Sequence, residues 1–408
     1  MSKRCIGLDV HRDFCEIAIW EQGRVRAAGR VESRPSSLAA YAQTMLKATD
    51  EVALEATTGA GQVAEIIRPH VSRVVVANTH RLAAISNSKK KTDREDAKTL
   101  AQLLAAGVME SSWLPAEQTR ALRRRVSRRH GLVTARTRAK NEVSAVLGRN
   151  LSQRPPMSDP FSEKGRRWLG SLALPDDEVE TMSAALRQID FFTGEIAVIE
   201  RELARFGSGS AEVRRLMTVP GVAMLTAVTF MAQVGEIGRF ASARQLVGYF
   251  GLDPRVRQSG NGPTHAGRIS KEGSTLVRHV MVEAATAAVR TPGPLRAFYQ
   301  RLRSRRGHQV AVVATARKMV TILWHVLHRG EDYRHQIELP TKKKLRKMEL
   351  IAGAEPRRGG DGRPRNLNRE QRRAADLARA REAEEGYRRL VARNRRSAEQ
   401  AADTDGGT

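Results

Sequence analysis

Aromatic residues make up only 4% of the 408-residue chain. So few rings argue against a base-stacking platform as its main mode of binding. Cysteine is almost missing: Cys5 and Cys15 form neither a disulfide framework nor a metal knuckle, and they suit a reducing cytoplasm. No long uninterrupted apolar run is present. The stretch Leu216 to Gly235 is uncharged and about as long as a membrane span, but Pro220, Gly221, three threonines and Gln233 interrupt it. It reads as buried helices, with no membrane partner expected. Arg4, Asp9, His11, Arg12, Asp13 and Glu16 break up the N-terminal apolar runs, so no signal peptide is expected. Acidic residues are also in short supply. The 71 Lys and Arg outnumber 44 Asp and Glu, for a formal net charge of +27. Such a balance implies a polyanionic partner, and nucleic acid is the commonest one.

The length suggests two to three domains. Residues 1–112 alternate strand-like and helix-like stretches, the pattern of an α/β fold. The runs Cys5–Val10, Phe14–Trp20 and Arg24–Val31 predict a three-stranded meander. Val52–Leu54 and Val74–Ala77 predict further buried strands, with a helix over Gly59–Ile67 between them. Residues 113–210 read as a basic helical linker. Its first helix, about 117–150, carries a thin apolar stripe, and the second, 176–206, carries a coiled-coil-like seam suited to hairpin or dimer packing. Residues 211–335 predict a mostly helical unit with a Gly-, Ser- and Arg-rich loop at 253–274. Residues 336–408 predict a basic, poorly ordered tail with some helix near 368–397.

Four acids stand out in the first region. Asp9 and Glu55 each end an apolar strand, where a carboxylate is costly unless it opens a turn or has a use. Thr92 with Glu95 forms a capping box that starts a helix and accounts for Glu95. Asp93 and Asp96, three residues apart, then share one face of its first turn. Each acid alone has a structural explanation: a turn opener, a loop entry, or a favourable place at a helix N-terminus. Together they match what a two-metal phosphoryl-transfer site needs, hard oxygen ligands on separate elements holding paired Mg²⁺ ions.

Ile6-Gly-Leu-Asp-Val-His11, Leu54-Glu-Ala-Thr57 and Lys91-Thr-Asp-Arg-Glu-Asp-Ala97 resemble the three blocks of the DEDD transposases of insertion sequences. Val219–Val222, Gly235–Phe240, Gln245–Tyr249, Gly251–Pro254, Gln258-Ser-Gly260 and Arg268–Lys271 resemble that family's C-terminal transposase domain. The resemblance runs over roughly residues 4 to 330. It implies an RNase H-like, RuvC-like N-terminal domain in which Asp9, Glu55, Asp93 and Asp96 bind the metal. It further implies a serine nucleophile in the C-terminal domain that forms a phosphoserine link to DNA. Dimers and tetramers in which one subunit's acids meet another's serine are implied too, as is a bridge RNA pairing with donor and target DNA. The family also includes site-specific invertases.

The Gln258-Ser259-Gly260 block makes Ser259 the candidate nucleophile, with Ser270 and Ser274 as alternatives. Glycines beside it would let the backbone approach a phosphate, and Arg255, Arg257 and Arg268 would balance its charge, with Lys271 nearby. No His/Asp pair lies close in sequence to activate a serine, so Mg²⁺ is the expected substitute. Val219–Ala227 resembles a helix-hairpin-helix turn that would hold a phosphate at Gly221, although Ala223 stands where a second glycine is usual; a tight interhelical turn is the other explanation. The helix at 120–140 supplies further phosphate contacts: Arg120, Arg123, Arg124, Arg125, Arg128, Arg129, Arg136, Arg138 and Lys140. Two other functions fit part of the pattern. One is a RuvC-like structure-specific nuclease that uses metal-activated water, and the other is a non-catalytic nucleic-acid packaging protein.

Overall fold

The computed structural model describes residues 4–77, 92–258, 265–356 and 367–405. They divide into two compact units, Met1–Glu117 and Gln118–Thr408. The first is a mixed α/β unit and the second is mainly helical.

In the first unit, β1 (Cys5–Val10), β2 (Phe14–Glu21) and β3 (Arg24–Glu32) form the expected antiparallel meander. Strands β4 (Glu51–Glu55) and β5 (Arg73–Ala77) run parallel to β1, so the sheet order is β3-β2-β1-β4-β5. Strand β1 is central and buried along its whole length, which explains its apolar run. Alternation divides its side chains between two faces. Ile6, Leu8 and Val10 pack with Leu38 of α1 (Pro35–Met45) and with Ala60, Val63 and Ile67 of α2 (Ala60–Ile67). Cys5 faces Leu100 and Leu104 of α3 (Asp93–Ala105) on the other side. Helix α1 has no counterpart in the sequence reading. Its apolar positions are few, only Leu38 and Ala42 being buried, so its periodicity is weak.

Helix α3 lies directly on β1 because Gly7 lacks a side chain. A Cβ there would stand 2.0 Å from the Ala97 carbonyl oxygen and 2.7 Å from the Ala101 nitrogen. Small residues meet it on α3, where Ala97 and Ala101 are fully buried. Thr92 caps the helix by accepting from the Glu95 N–H, as the capping box predicted.

In the second unit, α4 (Glu117–Arg149) and α6 (Asp176–Gly209) form an antiparallel hairpin, with α5 (Glu163–Gly170) between them. Salt bridges Arg128–Glu195, Arg129–Glu200 and Arg149–Glu178 run along the hairpin. Leu122, Val126, Ile199 and Leu203 of these helices share one core with residues 213–348. That core is built on α7 (Ala211–Leu216), α8 (Met224–Val234), α9 (Ala243–Tyr249), α10 (Thr275–Ala288) and α11 (Pro294–Arg329). Strands β6 (Pro254–Arg257) and β7 (His265–Ile269) form a hairpin between α9 and α10. The uncharged stretch from Leu216 breaks into a turn and α8, both deeply buried. Helix α11 is long and apolar enough in part to cross a membrane, but it is kinked at Gly307 and half of its apolar window is buried within the protein.

For residues 336–408, expected to be a basic, poorly ordered tail with some helix near 368–397, the described residues hold two helices. Helix α12 (Glu338–Ala352) packs along α6, and α13 (Leu367–Asp405) packs on α11. Few apolar side chains hold them, which is why composition alone suggested disorder. Buried polar anchors do the rest. Lys344 donates to the carbonyls of Met217, Val219 (3.1 Å) and Val222 (3.0 Å). Burial pulls its pKa down to about 8, so it is mostly charged at neutral pH. Asp376 accepts from the Leu339 N–H at 3.0 Å, and Glu384 from the Gly293 N–H at 3.0 Å. Each acid thereby caps the start of another helix.

Two substitutions probe these contacts. Gly7→Ala should displace α3 and lower the stability of residues 1–117 by about 1–3 kcal/mol, the usual cost of overpacking, read as a lower urea midpoint. Lys344→Met leaves buried carbonyls without their donor and should cost about 1–3 kcal/mol per orphaned group. An unchanged midpoint for Lys344→Met would show that the lysine is an incidental neighbour.

Candidate metal centre and nucleic-acid-facing residues

Strand β1 carries Asp9 to the edge of the first unit on the face covered by α3. Its side chain is 8% exposed. Asp93 and Asp96, in the first turn of α3, act on it electrostatically. Burial raises the Asp9 pKa, a hydrogen bond and the charge of His11 lower it, and Asp96 and Asp93 raise it again. The net shift is upward. A carboxylate in this position is best stabilised by a cation.

His11 is the residue that the sequence reading assigned to a turn. Its Nε2 lies 2.9 Å from Asp9 Oδ2 and 3.4 Å from Asp93 Oδ1. It follows β1 directly and lies two residues beyond Asp9, and that i,i+2 spacing to a strand-end acid was the signal available in the sequence. One potential ligand atom from each of Asp9, His11 and Asp93 lies within 4.8 Å of the others. Opposed ligands of Mg²⁺ stand about 4.2 Å apart, twice its ~2.1 Å bond, so small side-chain adjustments would let this group close on one ion. The carboxylates suit Mg²⁺, and an imidazole among them also suits Mn²⁺.

Glu55 ends β4 one residue beyond the paired couple Leu8 and Leu54. It is therefore at the same end of the sheet as Asp9. Neither it nor Asp96 belongs to the compact three-residue group. Glu16 is another acid that the sequence reading did not single out. It sits opposite Asp9 on β2 and is buried, but Arg30 at 2.5 Å and Arg94 at 3.6 Å neutralise it. Asp9 has no arginine or lysine ion pair among the described residues. The two buried neighbours thus differ in kind: one is compensated by arginines, the other faces a histidine and two more acids.

In the second unit, Ser259 lies between the ends of β6 and β7, outside the described residues. The alternatives are described. Ser270 is buried, and its Oγ donates to Asp253 Oδ1 at 2.8 Å. Ser274 caps α10 by accepting from the Val277 N–H. Arg255 donates to the Ser270 carbonyl, while Arg268 and Lys271 are exposed. Arg257 belongs to β6, and its side chain lies outside the described set.

Gly221 has φ +80°, and a Cβ on it would stand 2.1 Å from the Ala284 carbonyl oxygen of α10. Its positive φ and the close approach of α10 give this glycine a structural explanation. Along α4, Arg123 donates to the carbonyls of Ala232 and Gln233, both at 2.8 Å, at the C-terminal end of α8. Arg128 and Arg129 pair with α6 glutamates. Arg136 donates to Thr193, and Lys140 sits 4.5 Å over the Phe161 ring. Arg120 is half-buried and Arg124 exposed. Arg125 and Arg138 are exposed with no protein partner among the described residues.

Comparisons with known proteins bear on both units. A DEDD-type transposase model associated with IS110 matches residues 6–150, and the model described as "Transposase IS116/IS110/IS902 family" matches residues 213–300. The transposase-class protein y4qE of Sinorhizobium fredii is 30% identical over 69% of this chain and 70% of its own length. The transposase for insertion sequence element IS1111A of Coxiella burnetii is 27% identical over 81% of this chain and 91% of its own. The pilin gene-inverting protein of Moraxella bovis is 24% identical over 83% of this chain and 99% of its own. With two acids and a histidine meeting at the end of a mixed sheet and both halves of the chain matched in order, the chain belongs to the IS110/IS116/IS902 family of DEDD transposases.

Proposed function

We propose that this chain cuts and rejoins DNA as the transposase of an insertion sequence, with Mg²⁺ held by Asp9, Glu55, Asp93 and Asp96 and with Ser259 as the nucleophile. The observation that carries the reading is the buried Asp9, raised in pKa beside Asp93 and Asp96 and lacking the arginine partners that neutralise Glu16. The first unit is then an RNase H-like domain whose sheet order and strand directions suit that assignment.

A bound pair of Mg²⁺ ions supplies Lewis-acid stabilisation of the attacking and leaving oxygens. The chain's own residues do the rest. Asp9 and Asp93 hold the charge of the site, and His11 orients Asp9 through their 2.9 Å contact. Ser259 Oγ attacks the scissile phosphorus and gives its proton to solvent, a phosphoserine ester forms as the P–O3′ bond breaks, and the 3′ oxygen takes up a proton from solvent and leaves as a hydroxyl. Rejoining reverses this: a 3′ hydroxyl attacks the ester and Ser259 is released. The acids of one subunit and the serine of a partner copy would form each centre, in dimers or tetramers working in the cytoplasm. A bridge RNA would choose donor and target DNA by base pairing, with Arg125 and Arg138 among the phosphate contacts. The similarity to the Moraxella bovis gene-inverting protein, which extends over nearly all of that protein, favours one second reading, inversion of a DNA segment by the same chemistry.

Asp9→Asn tests the metal centre. It should reduce DNA cleavage by roughly 10²-fold or more, the scale of losing several kcal/mol of metal stabilisation. The same substitution should stabilise the metal-free protein, because the folded state disfavours the charged form of Asp9. Mg²⁺ should raise the Tm of the native chain and leave that of Asp9→Asn unchanged; equal Mg²⁺ shifts in both would remove Asp9 from the ligands. For the nucleophile, a denaturing gel of the protein incubated with Mg²⁺ and labelled element-end DNA should show a covalent adduct that Ser259→Ala abolishes. An adduct that survives Ser259→Ala but disappears in Ser270→Ala would transfer the role to Ser270, and Mg²⁺-dependent cutting that never passes through an adduct would point to metal-activated water.

A further inference from the structure

Helix α13 lies beyond the residues matched by either family model, and against α11 it forms a cleft of about 830 Å³. That volume is within the ~300–1,000 Å³ range of small-ligand sites. The cleft is built on the first arm of α11, before the Gly307 kink, and on the middle of α13. Arg301 and Arg305 line one wall, about one turn apart, and Arg388 and Arg395 the other. Among the described residues no carboxylate lines it. Positive charge is therefore concentrated on the α11 wall, at Arg301 and Arg305, whereas Arg388 opposite is paired with Glu384; such a wall attracts anions.

Three details narrow the ligand. Arg301 and Arg305 both line the cleft and make no ion pair with a carboxylate among the described residues, so their charge remains available to an anion. Tyr387, half-buried, offers a ring to the same cavity. The walls are also fixed in place. Glu384 ties α13 to the start of α11 through Arg296 and the Gly293 N–H, and Arg388 is held by Glu384 and by Gln300 at 2.8 Å. Cations that follow a phosphate chain beside an aromatic ring are the elements of single-strand recognition. A duplex would need a broad open surface, whereas this cleft lies between two packed helices.

We propose that the α11–α13 cleft is a nucleotide site for a single strand of nucleic acid, with Arg301 and Arg305 on its phosphates and Tyr387 against a base. The choice of ligand rests on the nucleic-acid reading above, while the site itself rests on the geometry of these two helices.

The test uses the full-length chain and three fluorescein-labelled probes: a short RNA of mixed sequence, the DNA strand of the same sequence, and its duplex. Binding is titrated over a range of salt. For the strand that the cleft holds, Arg301→Ala with Arg305→Ala should reduce the slope of log affinity against log salt by about 0.7 for each phosphate that is no longer neutralised. Tyr387→Ala should weaken the same complex roughly fivefold or more, and Tyr387→Phe should restore it. Whichever of RNA or DNA is weakened more identifies the natural strand. A 4-thiouridine cross-link mapping to the α13 peptide that contains Tyr387 would support the same conclusion without any substitution. Native-like strand affinity and slope in both variants would overturn the proposal, and so would a weakening as large on the duplex as on the strands. Absence of nucleic-acid binding by the native chain would instead overturn the broader reading along with it.

Discussion

The close contact between Gly7 and α3 is the constraint on which the candidate metal centre depends. Gly7 and Asp9 point to the same face of β1. Only a residue without a side chain lets the Ala97 and Ala101 backbone come this close to the strand. Because α3 is pressed onto β1, its first turn, with Asp93 and Asp96, lies near enough to Asp9 to influence its charge. The Thr92 cap fixes where the helix begins and so which residues form that turn. The electrostatic strain of three neighbouring acids thus follows from steric packing two residues away. Burial of Asp9 raises the cost further, and a bound cation relieves both costs together.

The second unit relies on the same principle with opposite charge. Its helices end where carbonyls lack internal partners, and cationic side chains from near and distant segments meet those ends. Arg123 and Arg239 reach the carbonyls at the end of α8, and Lys344 reaches those of the turn around Gly221. Acids act likewise at helix starts, Asp376 for α12 and Glu384 for α11. A tail with little apolar surface is held in this way by a few charge-assisted hydrogen bonds, each stronger than a neutral one.

Much of the first unit was legible because its signals are local. Alternation and apolar runs gave the strands, and a capping box gave the start of α3. Asp9, Asp93 and Asp96 were legible for the same reason, as were the two long helices at 117–149 and 176–209. His11 was missed because a polar residue in a short turn has an ordinary local explanation, and only its side-chain contact with Asp9 brings it into the site. Glu16 was missed because its partner acid is set by strand pairing, Asp9 against Glu16, which depends on register. Helices α1 and α12 were missed because long-range contacts stabilise them and their own periodicity is weak.

The same distinction between local and long-range information governs how the net charge of the chain should be read. In sequence, the arginines of α4 form an almost unopposed basic run, which suggests a continuous phosphate-binding face. Folding brings α6 alongside, and Glu195, Glu200 and Glu178 neutralise Arg128, Arg129 and Arg149. Arg123 is turned inward onto carbonyls. The formal charge of +27 therefore overstates what this helix can offer a polyanion. Arginines that fold against carbonyls or glutamates bind the protein to itself, and their removal would alter stability before affinity. Cations set on a wall without carboxylates, as Arg301 and Arg305 are between α11 and α13, keep their attraction for phosphate. Where a basic protein meets its polyanion is thus decided less by the density of arginine along the chain than by which arginines the fold leaves uncompensated.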